Sequence, residues 1–242
     1  MNQKKMYSNL AKYYDIIHSD ATWKDYKGDS QKIHKVIQQY KKTQGNNLLD
    51  VACGTGNHIK YLKRQYNITG LDFHKEMLDI ARNKFPNIKF LQKDMTSFNL
   101  NKKYDIITCL FGSIAYAKTY SNLEKVIDCF SKHLKSGGVV IIEPFISPDK
   151  WEDGCVDLRT VDRPGLKISR VSFSYTQNKL KITDMRYTIA TKDGIKEIKE
   201  KHETGLFAID KFLNIMKNKG FKAKHITKGW TPARGLYICV KK

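Results

Sequence analysis

The fold is decided by the stretch Asn47-Leu48-Leu49-Asp50-Val51-Ala52-Cys53-Gly54-Thr55-Gly56. Its first six residues are largely apolar and predict a buried strand. Gly54 and Gly56 then allow a sharp backbone turn and let a ligand approach the peptide groups closely. A helix that starts after such a turn offers unpaired N–H groups and a positive dipole end, which favour an anionic group. The stretch therefore predicts a strand, a turn and a helix that together bind a ligand.

Short apolar runs alternate with helical patterns from Gly45 to about Glu143, which indicates repeated βα units and a parallel sheet. The predicted strands cover residues 47–52, 68–73, 88–91, 104–111 and 139–142, and the predicted helices cover 57–65, 74–84 and 123–134. The last of these strands is apolar throughout, as expected for a strand that is buried on both faces.

The pattern changes after Pro144, where apolar and polar residues alternate between turn signals. This alternation predicts antiparallel strands over 166–175, 179–190 and 195–203, followed by a helix over 208–219 and closing strands over 221–227 and 236–240. We therefore expect an N-terminal helical lid (1–44), an α/β domain (45–146 and 206–242) and an antiparallel β layer inserted at 147–205.

Three acidic residues at successive strand ends indicate which ligand the turn binds. A dinucleotide-binding fingerprint requires a third glycine where this chain has Ile59, and a phosphate-binding Gly-Lys-Ser/Thr motif is absent. Asp72 lies eighteen residues past Gly54, a spacing that suits the hydroxyls of a ribose. Asp94 is positioned to accept from an exocyclic adenine amine, with Met95 against the ring. For any one of these acids alone, a simple strand-end carboxylate is the favoured interpretation, but the ordered set, which begins at Asp50, favours a nucleoside.

These residues resemble the class I S-adenosylmethionine-dependent methyltransferases. Residues 48–56 are similar to the first motif of that family, Gly70-Leu71-Asp72 to the second and Lys93-Asp94-Met95 to the third, although Ala52 stands where many members have glycine. The resemblance implies a doubly wound, mostly parallel seven-stranded sheet and S-adenosylmethionine as cofactor. The cofactor-binding residues that it implies are Tyr14, Tyr26, Asp50, Ala52, Cys53, Gly54, Asp72, Phe73, Met77, Asp94, Met95, Leu110 and Phe111.

A narrower resemblance links the chain to the N-methyltransferases that act on the amine of nucleotide-linked amino sugars. It is carried by Tyr7-Ser8, Tyr13-Tyr14-Asp15, Lys24-Asp25-Tyr26, Phe111-Gly112-Ser113-Ile114, Glu143-Pro144-Phe145 and Arg234-Gly235-Leu236. In that family, tyrosines matching Tyr7, Tyr14 and Tyr26 close over the cofactor or substrate, and some members have a histidine at the position of Tyr116. The alternative is that the tyrosines simply pack an N-terminal helix.

The predicted reaction is methyl transfer from S-adenosylmethionine to a small-molecule amine. The protein then mainly holds the amine in line with the methyl group, and the amine must arrive neutral. We expect Tyr7, Tyr116 and Glu143 to face the acceptor as catalytic residues, and Ser113, Phe145 and Arg234 to bind it. Arg234, Arg159 or Arg163 is expected to meet an anion such as a diphosphate, although surface charge is the favoured interpretation of Arg159 and Arg163.

The net charge of +20 raises nucleic acid as a competing partner. Only seven of the 44 basic residues are arginine, and the lysines are scattered along the chain, which favours a solvated surface over a phosphate track. The motifs of the adenine amino-methylating enzymes and the Pro-Cys nucleophile of cytosine carbon-5 enzymes are both absent. An RNA methyltransferase and a non-catalytic module that binds S-adenosylmethionine remain as alternatives.

Composition and hydropathy predict a cytoplasmic protein with no metal and no membrane span. The longest uncharged run, Ile106 to Ala117, is twelve residues, short of the roughly 20 that a spanning helix needs. The five cysteines are widely spaced and form no metal-binding or disulfide pattern. The inserted strand layer suggests a homodimer through residues 165–205.

Overall fold

The computed structural model describes residues 6–7, 9–18, 24–231 and 234–242. Its strands are β1 (Asn47–Val51), β2 (Asn67–Asp72), β3 (Lys89–Gln92), β4 (Tyr104–Cys109), β5 (Leu134–Ile142), β6 (Cys155–Arg163), β7 (Leu166–Gln177), β8 (Leu180–Thr191), β9 (Gly194–Gly205), β10 (Phe221–Ile226) and β11 (Leu236–Lys241). Its α-helices are α1 (Ala11–His18), α2 (Tyr26–Tyr40), α3 (Ile59–Leu62), α4 (Lys75–Lys84), α5 (Tyr120–His133) and α6 (Ile209–Asn218).

Seven strands form one sheet in the order β10-β11-β5-β4-β1-β2-β3. The pairs from β5 to β3 are parallel, and β11 is antiparallel to both β5 and β10. The strand order reverses between β1 and β4, and ligands of open α/β sheets bind at such a switch point, outside the carboxyl ends of the strands. The predicted doubly wound, mostly parallel sheet is confirmed.

Helices cover both faces of this sheet. As a result, every residue of β4 and most residues of β5 are buried. Apolar residues of α5 and α6, including Val126, Phe130 and Phe212, pack on one face. Ile33 and Ile37 of α2 pack on the other face. The predicted helix over 57–65 is shorter than expected, because only 59–62 are helical and the residues before them belong to the turn after β1.

The other four strands form a separate antiparallel sheet in the order β6-β7-β8-β9. On its inner face, Ile168, Met185 and Tyr187 pack with Leu10 and with Ile17 of α1. The inserted antiparallel layer is therefore confirmed.

Strand β6 was not predicted from the sequence because its polarity is reversed. The side chains of Val156 and Leu158 are 78% and 64% exposed on the outer face. Asp157 and Arg159 instead line a cavity on the inner side. The pattern of apolar residues facing inward, on which strand prediction depends, therefore does not apply here.

Candidate active site

The turn after β1 has the unusual backbone that its glycines allow. Gly54 and Gly56 have φ values of 55° and 81°, and Ala52 also has a positive φ, 57°. A Cβ at Gly56 would lie 2.9 Å from the ring of Phe85, so this position needs glycine for space as well as for backbone conformation. Ala52 is therefore more than a conservative replacement, because an L-residue is strained in this region of backbone space.

The carboxylate at the end of β2 holds this turn in place. One oxygen of Asp72 accepts a hydrogen bond from the Gly54 backbone N–H at 2.8 Å, and the other accepts from the His74 N–H at 2.9 Å. Asp72 is buried, and this burial raises the pKa of its carboxyl. The acid that the sequence predicts at a ribose thus fixes the glycine turn in this structure.

The acids of the two neighbouring strand ends differ in environment. Asp50 is buried and accepts a hydrogen bond from the Thr108 hydroxyl at 2.8 Å. Burial raises the pKa of Asp50 to about 7, against the lowering effect of the Thr108 bond. Asp94 is exposed and accepts from the Thr96 N–H at 2.8 Å. Asp50 is therefore a deep carboxyl, like Asp72, and Asp94 is an accessible carboxylate.

Two adjoining cavities open beside these acids. The larger, of about 190 Å³, is bordered by the ends of β1 and β2 and by the loop after β3. The smaller lies against the turn after β1 and the loop after β4. All thirteen residues that the sequence assigned to the cofactor line one or the other: Tyr14, Tyr26, Asp50, Ala52, Cys53, Gly54, Asp72, Phe73, Met77, Asp94, Met95, Leu110 and Phe111.

The lining of these cavities suits an adenosine that carries a sulfonium. Carboxylates accept hydrogen bonds from hydroxyl and amino groups, and Phe73, Met77 and Met95 offer apolar walls for a flat ring. The smaller cavity adds the aromatic rings of Tyr26 and Phe111, whose faces attract a cation.

His58 also lines the smaller cavity, although it was not predicted from the sequence. It is buried, and its Nε2 has no hydrogen-bond partner among the described residues. Burial lowers the pKa of this imidazole to about 3, so the ring is neutral.

A third cavity, of about 420 Å³, lies between α1, the loop after β4 and the inner face of the antiparallel sheet. Its volume is in the range of small-molecule sites. It shares Tyr7, Tyr14, Ser113 and Tyr116 with the larger of the first two cavities. The predicted acceptor-binding residues Ser113, Phe145 and Arg234 all line this third cavity.

The third cavity is strongly cationic. Arg159, Arg170, Lys181 and Arg234 line it, and Asp157 is the one carboxylate among its described lining residues. Arg159 donates to Asp157 at 3.0 Å, and Arg170 also pairs with it. Lys181 and Arg234 therefore add positive charge that no lining acid balances, which suits an anionic ligand.

Aromatic rings lie against the charged groups of Lys181 and Arg234. The Lys181 ammonium lies 4.8 Å from the centroid of Phe145 and 5.0 Å from that of Trp151, and the Arg234 guanidinium lies 4.7 Å from that of Phe145. Burial lowers the pKa of Lys181 to about 8, because a charged amine loses hydration there.

Sequence patterns found these cations only in part. Arg159 lines the cavity instead of lying on the free surface, whereas Arg163 is exposed. Arg170 and Lys181 were missed. The available signal was the period of two along the predicted strands, since Arg170 lies two residues after the buried Ile168 and therefore shares its face.

The predicted catalytic tyrosines belong to a closed ring of hydrogen bonds. The hydroxyls of Tyr7 and Tyr116 are 3.1 Å apart, and the Tyr116 hydroxyl lies 2.7 Å from Nδ1 of His202. Nε2 of His202 lies 2.9 Å from Glu200, whose other carboxylate oxygen accepts from the Tyr7 backbone N–H at 2.9 Å. Neither His202 nor Glu200 was predicted from the sequence.

Glu143 does not face the third cavity as the sequence prediction placed it. It is fully buried and lines none of the three cavities. It accepts from the Phe111 N–H at 2.8 Å and from the Thr231 hydroxyl, and it pairs with Lys24 at 3.4 Å. Burial opposes its ionisation, but Lys24 and these hydrogen bonds hold the pKa of Glu143 below its usual value. Its carboxylate therefore positions the loop after β4.

Comparison with known proteins identifies the family of the chain. Residues 48–138 match the methyltransferase domain family. The chain is 32% identical over 232 residues to the dTDP-4-amino-2,3,4,6-tetradeoxy-D-glucose N,N-dimethyltransferase of Saccharopolyspora spinosa, covering 96% of this chain and 92% of that protein. It is 29% identical over 236 residues to the dTDP-3-amino-3,4,6-trideoxy-alpha-D-glucopyranose N,N-dimethyltransferase of Streptomyces venezuelae, covering 94% and 99%.

Solved structures of similar proteins have the same fold over nearly the whole chain. The structure of DesVI from Streptomyces venezuelae has a TM-score of 0.87 at 27% identity and covers 98% of both chains. S-adenosylmethionine-bound CalS10, an amino pentose methyltransferase from Micromonospora echinaspora, has a TM-score of 0.84 at 26% identity and covers 97% of this chain and 96% of that one.

The sheet, the glycine turn and these matches define a class I methyltransferase that uses S-adenosylmethionine. Within that class, the chain belongs to the family of the dTDP-amino-sugar N,N-dimethyltransferases. Among the described residues, no helix combines the length and apolarity needed to cross a bilayer.

Proposed function

We propose that this enzyme methylates the amine of a nucleotide-linked amino sugar. The observation that carries the proposal is the junction of two cavities at Tyr7, Tyr14, Ser113 and Tyr116. On one side of the junction lie the carboxylates suited to adenosine. On the other side lies the cationic third cavity, which we call the acceptor chamber. A methyl donor and an anionic acceptor would meet there. The related enzymes are named for dTDP-amino sugars, whose diphosphate matches such a chamber.

In this proposal the predicted residues each bind a different part of the cofactor. Asp72 would bind the ribose, Asp94 and Met95 the adenine, and Asp50 with Gly54 the methionine end. When bound, S-adenosylmethionine supplies a methyl group on a positively charged sulfur. The rings of Tyr14 and Phe111 line the adjoining cavity on the side of the acceptor chamber and favour that charge.

The chain contributes mainly by positioning the acceptor. Lys181 and Arg234 would hold the diphosphate, which leaves the sugar amine to reach the junction. The hydroxyls of Tyr7 and Tyr116 can orient the amine there by hydrogen bonding. Holding two reactants in line can supply roughly 7–11 kcal/mol of an activation barrier, which is sufficient where the cofactor is already reactive.

The N-terminal region acts as a lid in this proposal. Asp15 on α1 accepts hydrogen bonds from Asn57 at 3.0 Å and from the Thr55 hydroxyl, and it pairs with Lys84 at 2.7 Å. These bonds fasten α1 to the turn after β1. The predicted lid over 1–44 is described only in part, and Ser8 lies outside the described residues.

The outer face of the antiparallel sheet supports a homodimer as the working assembly. Val156 and Leu158 on β6 lie beside Phe173 and Val171 on β7, and these large apolar side chains are exposed, as is Ile195 on β9. Light scattering is expected to give twice the chain mass of 28.0 kDa. A single-chain mass that persists at micromolar concentration would contradict the dimer.

A direct assay tests the proposed function. The purified chain is incubated with S-adenosylmethionine and a dTDP-linked amino sugar carrying its amine at carbon 3 or carbon 4, and the acceptor mass is followed. We expect the mass gain of one and then two methyl groups. The matched control acceptor is the same nucleotide sugar with hydroxyl in place of amine, which should gain none. Methyl transfer to RNA in place of any amino sugar would overturn the proposal.

A further inference from the structure

The ring of hydrogen bonds through Tyr7, Tyr116, His202 and Glu200 has a fixed direction. A carboxylate only accepts, so the His202 nitrogen that faces Glu200, Nε2, carries the hydrogen. Nδ1 is then a lone pair, and it accepts the hydroxyl hydrogen of Tyr116 at 2.7 Å. The Tyr116 oxygen in turn accepts from the Tyr7 hydroxyl at 3.1 Å.

This direction leaves the Tyr7 hydroxyl oxygen as the open end of the chain of bonds. No described residue other than Tyr116 is hydrogen-bonded to it. Tyr7 and Tyr116 both line the junction of the two cavities, and His202 lines the acceptor chamber. Burial raises the pKa of both tyrosines, so both keep a hydrogen to pass on.

The other carboxylates and imidazole around the acceptor chamber are poorer proton acceptors than His202. Asp157 is already paired with Arg159 and Arg170. His18 also lines the chamber, but burial lowers the pKa of its imidazole to about 3. Glu143 lines none of the cavities.

We infer that the His202–Glu200 pair takes up the proton that the acceptor amine sheds, through Tyr116 and Tyr7. The inference rests on the proposed function, because it needs an amine at the junction. An N–H bond of the ammonium breaks as an O–H bond forms on Tyr7. The Tyr7 hydrogen passes to Tyr116, and the Tyr116 hydrogen passes to Nδ1 of His202. The products are a neutral amine and an imidazolium beside the Glu200 carboxylate. The imidazolium later releases its proton to water.

Such a relay matters most for a second methylation, because each transfer to an amine produces a new ammonium that must lose a proton before it can react again. His202 and Glu200 are positioning and proton-accepting residues in this account. The titratable groups that face His202 are Tyr116 and His74 from the α/β domain, Tyr7 and His18 from the N-terminal region, and Glu200 on its own strand.

Three variants on β9 test the relay. Glu200→Gln keeps an oxygen for the Tyr7 N–H but points an amide N–H at His202, so it reverses the direction of the ring. His202→Gln keeps an acceptor for Tyr116 but cannot take up a proton. Glu197→Gln is the control, since Glu197 is exposed on the same strand.

The readout is kcat/KM of each variant relative to that of the unaltered enzyme, measured over a pH range that extends below and above the pKa of the acceptor amine. Below that pKa we expect the first two variants to lose activity about 10²-fold. The loss should shrink to a few-fold above it, because the amine then deprotonates in bulk water. A loss that is the same at every pH, or no loss, would overturn the relay. If the unaltered enzyme methylates no amino sugar, the proposed function itself fails.

Nitrogen-15 NMR of the histidine rings supplies a second readout that needs no turnover. In the free enzyme His202 is expected to carry its hydrogen on Nε2, and Glu200→Gln is expected to move that hydrogen to Nδ1. The His202→Gln variant identifies the signal by removing it. A resting enzyme with hydrogen on Nδ1 would contradict the relay.

Discussion

The Tyr116 hydroxyl lies 2.7 Å from Nδ1 of His202, although the two residues belong to different layers of the molecule. Tyr116 lies in a 3-10 helix after the switch-point strand β4, and His202 lies on the inner face of β9. This hydrogen bond therefore joins the α/β domain to the antiparallel sheet at the point where the proposed cofactor cavity and the acceptor chamber meet.

Removing the Tyr116 hydroxyl should break that joint. We expect Tyr116→Phe to lower kcat about tenfold or more, because the amine loses an orienting hydroxyl and its path to His202. Affinity for S-adenosylmethionine, measured by calorimetry, should stay within about twofold, since Tyr116 lies at the margin of that cavity. Tyr61→Phe, on α3 away from the three cavities, is the matched control. A Tyr116→Phe enzyme with unchanged kcat would contradict the assignment.

Asp72→Asn tests the proposed cofactor cavity. An asparagine offers one oxygen, so either the Gly54 or the His74 N–H loses its acceptor, and the ribose loses a carboxylate. Leaving a buried donor unpaired costs about 1–3 kcal/mol, and we expect cofactor affinity to fall about tenfold or more. Asp79→Asn on the exposed face of α4 should leave calorimetric affinity unchanged. Equal affinity in the two variants would count against Asp72.

Lys181→Met tests the cationic chamber. The substitution keeps a long side chain under the rings of Phe145 and Trp151 but removes the charge, so we expect KM for a dTDP-amino sugar to rise about tenfold with little change in kcat. Lys179→Met, in the exposed turn before β8, is the control. A change in kcat alone would show that Lys181 does not bind the acceptor.

The depressed pKa of Lys181 also predicts a pH dependence. Because burial lowers this pKa to about 8, the ammonium is charged below that pH and loses its charge above it. Affinity for the nucleotide diphosphate portion, measured with dTDP as a competitive inhibitor, should therefore weaken as pH rises through about 8. Lys181→Met should abolish this dependence. The same slope in the variant would assign the titration to another group.

The raised pKa of Asp50 predicts the opposite slope for the cofactor. Its carboxyl is protonated below about pH 7 and carries charge above it, and a charged carboxylate attracts the cationic methionine end. Affinity for S-adenosylmethionine should rise as pH increases through about 7 and then level off. Asp50→Asn should flatten the curve. Calorimetry over about pH 6 to 8 measures both, and a slope retained in Asp50→Asn would exclude Asp50 as its source.

The sequence predicted most of what is local. The apolar run of β5 and the glycine turn after β1 have short-range signatures, and the acids at strand ends fall together because parallel strands end at one edge. Glu200, His202 and Lys181 carry no such signature. Their positions follow from strand register across the antiparallel sheet, where Glu200 pairs with Met185 and Lys181 with Thr204.

Glu143 shows that the position of a residue at a strand end does not by itself determine its role. Its place after β5 correctly predicts a carboxylate at a strand end, but its function depends on which cation reaches it. Lys24 and Thr231 are distant in sequence, and only the folded chain shows that they occupy the carboxylate. A residue expected at the acceptor thus became a support for the loop that carries Phe111.

The most direct measurement is a crystal structure with S-adenosylhomocysteine and a dTDP-amino sugar bound together. We predict that the sulfur lies on one side of the Tyr7–Tyr116 junction and the sugar amine on the other, with the diphosphate between Lys181 and Arg234. An acceptor bound elsewhere, with its amine away from Tyr7 and Tyr116, would contradict the account.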